Sequence, residues 1–75
     1  MSIVDFMIHL KPELSQDDRT SLESEIAGME GVMSACFSAS HPHMLAVTYD
    51  PEVVSSHVVL EHVSQRGLEA QKVGL

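Results

Sequence analysis

Apolar and polar residues alternate from Ile3 to Leu10. Val4, Phe6, Ile8 and Leu10 fall on one side, and Ile3, Asp5, Met7 and His9 on the other. A period of two predicts a strand with one buried face. Pro12 ends it, because proline has no N–H to give to a ladder. The pattern then lengthens to the helical period. Leu22, Ile26 and Met29 form a narrow apolar stripe at spacings of four and three. Ser15-Gln16-Asp17-Asp18 reads as the cap of that helix, with two acids where the helix dipole is positive. Gly28 and Gly31 mark its exit. Glu23, Glu25 and Glu30 are expected on solvated surface.

Alternation returns over residues 32–40, with Val32, Ala35, Phe37 and Ala39 apolar after an early irregularity. His41-Pro42-His43 reads as a turn, and Leu45, Val47 and Tyr49 form one face of a third strand over 44–49. A three-residue connection makes these two strands a hairpin. Asp50-Pro51 breaks the strand, and Ser55 caps a second helix running to about Arg66. Val59, Leu60 and Val63 give that helix its apolar side, and Gly67 closes it before a last strand over 68–73. The order is β-α-β-β-α-β. It predicts an α+β, ferredoxin-like βαββαβ sandwich: a four-stranded antiparallel sheet with two helices on one face.

Composition narrows what such a domain can do. At 75 residues the chain forms one domain spanning 1–75. A domain of this size buries roughly 60–65% of its unfolded surface, which leaves little room for an enclosed cofactor. Four basic and eleven acidic residues give a net charge of −7. That excludes a counterion-displacing nucleic-acid face and docking on anionic lipid. Phe6, Phe37 and Tyr49 are too few for a base-stacking platform. Cys36 is the only cysteine, so neither an internal disulfide nor a Cys-x-x-Cys pair is possible. The start Met1-Ser2-Ile3-Val4-Asp5 shows no signal-peptide pattern, and no apolar run approaches ~20 residues. The expected location is the cytoplasm.

Three segments carry a likeness. They are Gly31-Val32-Met33-Ser34-Ala35, the run Val47-Thr48-Tyr49-Asp50-Pro51-Glu52-Val53-Val54-Ser55, and the helix ending Gly67-Leu68-Glu69-Ala70. Together they resemble the heavy-metal-associated domain of copper chaperones and metal-transporting ATPases, over nearly the whole chain. The resemblance implies the same fold and a link to metal homeostasis. It also implies Gly-Met-x-Cys-x-x-Cys between the first strand and first helix, where two thiolates hold a soft ion. Counting back from Gly31, the two cysteine positions hold Ser15 and Asp18, and the methionine position holds Glu13. The scaffold is matched and the thiolate site is not. Leu68 is a further departure, where the family often has an aromatic residue or a lysine.

Chemistry must then come from elsewhere. In this topology the loop after the first strand, the hairpin and the turn before the last strand share one end. That end is expected to carry Lys11, His41, His43 and Arg66, with His9 close by. His41-Pro42-His43-Met44 puts two imidazoles and a thioether at short spacing, and His9 can supply a third nitrogen. Such donors suit a transition metal ion: Cu, Zn or Ni. The plainer reading is a polar, proline-containing turn, and no standard zinc spacing is matched. His57 and Glu61 lie four apart on the second helix and read either as a chelating pair or as a solvated face; His62 reads as surface.

Cys36 is expected on the sheet face away from the helices, shared with Met7, His9, Met44 and Thr48. With Ile3 and Val73 that face is partly apolar, which suits a protein partner or a homodimer, as does the edge strand 32–40. No catalytic spacing or phosphate loop is present, so no enzyme is expected. The reading is a metal-binding domain using His41, His43, His9 and Met44. The alternative is a metal-free interaction or dimerisation adaptor, and a third is a redox sensor built on Cys36.

Overall fold

The computed structural model describes residues 2–11 and 13–73. The elements follow the predicted order: β1 Val4–Lys11, α1 Gln16–Ala27, β2 Val32–Phe37, β3 Met44–Tyr49, α2 Ser56–Ser64 and β4 Glu69–Val73. Pro12, read as the residue that ends β1, lies outside the described residues. The sheet has four strands in the order β2-β3-β1-β4, and every neighbouring pair is antiparallel. β1 and β2 therefore run the same way with β3 between them, as α1 requires; α2 joins β3 to β4 across β1 in the same manner.

The alternation along β1 and β3 does what its period dictates. Phe6, Ile8 and Leu10 meet Leu45, Val47 and Tyr49 on the covered face, against Leu22 and Ile26 of α1 and Val59 and Val63 of α2. The opposite face carries Met7, His9, Met44, Thr48 and Cys36, and no helix among the described residues covers it. Val4 was expected on the buried side but is 41% exposed. It pairs with Tyr49 of β3, while β4 reaches only as far as Met7, so the sheet is one strand narrower there.

Both helix starts are capped as read. Ser15 Oγ accepts from the Asp18 N–H and Ser55 Oγ from the Val58 N–H, each at 3.2 Å. The irregularity expected early in β2 is a break in register between Val32 and Ser34, which leaves Met33 unpaired and exposed. Gly31 sits at φ +92°, and a Cβ there would lie 2.8 Å from Cγ1 of both Val53 and Val54. The Asp50 N–H donates to the Gly31 carbonyl at 2.8 Å, locking the helix exit to the turn after β3.

Two expectations are corrected. β2 ends at Phe37, not residue 40, so six residues and not three connect β2 to β3. The reason is local hydrogen bonding: Ser38 Oγ accepts from the His41 N–H at 3.3 Å and meets Ser40 Oγ at 3.2 Å, diverting the chain from extended pairing. Of the three glutamates, Glu25 and Glu30 are exposed as expected and Glu23 is not. Glu23 is half-buried, and its Oε2 accepts from the Phe37 N–H at 2.7 Å. Glu25 joins the helices: His62 Nε2 lies 2.6 Å from Oε2, and Arg66 Nη1 donates to Oε1 at 2.6 Å. His62 is therefore engaged, and the Arg66 charge is spent on α1.

Candidate metal centre

The loop between β1 and α1 is occupied by backbone chemistry. Ser15 has extended φ and ψ of −64° and 164°, and its hydroxyl is the cap of α1, bonded to the N–H of Asp18. A hydroxyl and a carboxylate are hard donors, poorly matched to the soft ion that a thiolate pair holds. Glu13 is exposed. This loop does not fit the ion that the likeness implies at that place.

The histidines lie across the sheet from it in sequence but at the same end in space. β1 and β3 are in register with His9 opposite Met44, so an imidazole and a thioether are cross-strand neighbours. The Leu10 N–H donates to the His43 carbonyl at 2.9 Å, extending the ladder one residue past β3 and holding His43 beside β1. The rings of His9 and His43 then meet edge to face, with centroids 4.8 Å apart. His41 and His43 are also edge to face, at 6.1 Å. His41 is exposed, and the other three side chains are half-buried.

The Met44 N–H donates to the His41 carbonyl at 2.9 Å, closing the turn that carries both histidines. His41 Nδ1 lies 3.1 Å from Ser40 Oγ. That contact takes up Nδ1 in either tautomer of the ring. Among the described residues, no three His, Cys, Asp or Glu side chains are gathered as a metal-holding group.

The four residues read as candidates thus divide clearly. His9, His43 and Met44 are brought together by β-sheet register, and His41 is attached through His43. Lys11 is exposed at the same end, opposite Glu69. Sequence reasoning missed the polar surroundings of His9. A depression of about 300 Å³ beside it is lined by Lys11, Glu69, Ala70 and Gln71. The β4 register puts Gln71 opposite His9, a relation that alternation in the short last strand can reveal once strand order is known. The Ser38 and Ser40 hydroxyls around His41 were also missed; three serines within seven residues were the available signal.

The other candidates lie elsewhere. His57 Nε2 and Glu61 Oε2 are 3.3 Å apart on α2, with side chains 81% and 61% exposed. Cys36 is an exposed free thiol opposite Ala46, with its Sγ 3.5 Å from the Phe37 carbonyl. No helix among the described residues is long and apolar enough to cross a membrane.

No protein-family model matches the chain, and no curated protein matches it in sequence. Solved structures do match in shape. A copper binding domain from HMA7, a P-type ATPase, superposes with a TM-score of 0.82 at 18% identity, covering 93% of each chain. Oxidized MerP from Ralstonia metallidurans CH34 gives 0.84 at 12% identity, over 97% of this chain and 100% of that one. The N-terminal domain of the zinc(II) ATPase ZiaA in its apo form gives 0.77 at 20% identity, over 99% of this chain and 73% of that one. The chain has the ferredoxin-like βαββαβ fold of these heavy-metal-associated domains, and with a single cysteine it has no Cys-x-x-Cys pair.

Proposed function

We propose that this domain binds a transition metal ion, Cu, Zn or Ni, at the loop end of its sheet, through His9, His41 and His43 with Met44 beside them. The observation that carries the reading is the meeting of His9 with His43 at 4.8 Å, from segments more than thirty residues apart in sequence. Imidazole nitrogens are borderline donors that suit all three metals, and a thioether adds a preference for copper. Binding breaks the edge-to-face contacts and turns the rings so that their nitrogens share one focus. That rearrangement keeps the affinity moderate. The structural relatives named for copper or zinc make a metal-related role the natural use of the scaffold. The metal is cargo or signal here, handled at the surface by one exposed and three half-buried side chains.

A metal titration followed by native mass spectrometry tests this. The expected result is one ion per chain with a dissociation constant below ~10 μM at neutral pH, about −7 kcal/mol. Replacing both His41 and His43 by alanine is expected to abolish it. Binding that survives the double replacement would remove the site, and failure of the wild type to bind any of the three metals would remove the function.

A further inference from the structure

Glu23 reaches from α1 to the outer edge of the sheet, where it meets the backbone of β2. In β2, Ser38 directs its N–H inward, to the Met44 carbonyl of β3 at 3.0 Å. By alternation Ala35 and Phe37 direct theirs outward, where no further strand lies among the described residues. The outward N–H of Phe37 is taken by Glu23 Oε2 at 2.7 Å, from a side chain that is itself half-buried. The register break at Met33 disturbs the other end of the same edge.

We propose that Glu23 guards the β2 edge against strand addition, and that the strand it excludes is β2 of a second copy of this chain. β2 reads Val32-Met33-Ser34-Ala35-Cys36-Phe37 and carries no charge, so pairing it with itself brings no like charges face to face. An uncharged edge strand with free backbone groups is a template for pairing. Its outward groups are self-complementary about Ala35: an antiparallel copy exchanges N–H and carbonyl with Ala35 across a two-fold axis. The net charge of −7 keeps copies apart at long range, and Glu23 acts at the point of contact. The inference is independent of the metal reading.

Sedimentation of Glu23→Ala against wild type, with amide exchange at Phe37, tests it. Glu30→Ala, from the exposed turn after α1, controls for the lost negative charge. Glu23→Gln keeps a carbonyl acceptor and guards against a folding artefact. The expected result is a monomeric wild type, Glu30→Ala and Glu23→Gln, with Phe37 exchange in Glu23→Ala, read at a dilution where it too is monomeric, faster by about tenfold. Glu23→Ala is expected to dimerise at concentrations where the others do not. Adding Ala35→Pro to it, which deletes the outward donor, is expected to restore the monomer. Equal association of Glu23→Ala and Glu30→Ala, unchanged Phe37 exchange, or a dimer that survives Ala35→Pro each overturns the proposal.

Discussion

The Ser15 hydroxyl is a helix cap, accepting from the Asp18 N–H at 3.2 Å. Ser15→Ala is expected to lower stability by about 1 kcal/mol, as the loss of a cap does, and to leave metal affinity unchanged. Chemical denaturation and a parallel metal titration check both halves. A fall in metal affinity would place the metal in the loop after β1. Gly31 makes a different demand. Its φ of +92° and the 2.8 Å approach of Val53 and Val54 leave no space for a side chain. Gly31→Ala is expected to destabilise the fold by about 2–3 kcal/mol, read in the same denaturation assay. Both residues were legible in the sequence, because capping serines and helix-exit glycines announce themselves by local spacing. Glu23 and Glu25 were not. Their partners, Phe37, His62 and Arg66, are distant in sequence, and a glutamate on a helix carries no mark of which distant group it meets.

Among elements, β1 and β3 were the most legible and the connection between β2 and β3 the least. Their alternation is regular because one face is buried against both helices, and register follows from that burial. The connection is set by serine hydroxyls competing for backbone groups, which periodicity does not report. The helices are tied to each other through Glu25, with His62 and Arg66 on either oxygen. These side chains are roughly one-third exposed, so solvent screening keeps each pair well under about 1 kcal/mol. Glu25→Ala is accordingly expected to lower the thermal midpoint only slightly, with the difference shrinking as salt is added. A large loss that ignores salt would mean that Glu25 is structural in another way. Leu45 gives the contrast. It is fully buried at the centre of the covered face, and Leu45→Ala is expected to cost about 2–5 kcal/mol by denaturation.

On the scale of the whole molecule, the sheet brings three imidazoles from two segments to one end, while the loop after β1 caps α1 through Ser15. The proximity of His9 to the 41–44 turn was legible because strand order alone sends that turn to the end where β1 finishes. The stacking of the rings was not, since it depends on the hydrogen bond from Leu10 to His43 that extends the ladder. Two further histidines, His57 and His62, lie on α2 and act as internal controls. The most direct test is therefore to follow the imidazole nitrogens of all five histidines by NMR during a zinc titration. The resonances of His9, His41 and His43 are predicted to shift together and to saturate at one equivalent, with His57 and His62 unmoved. Shifts confined to His57 and His62, or no saturable shift at His9, His41 and His43, would contradict the account.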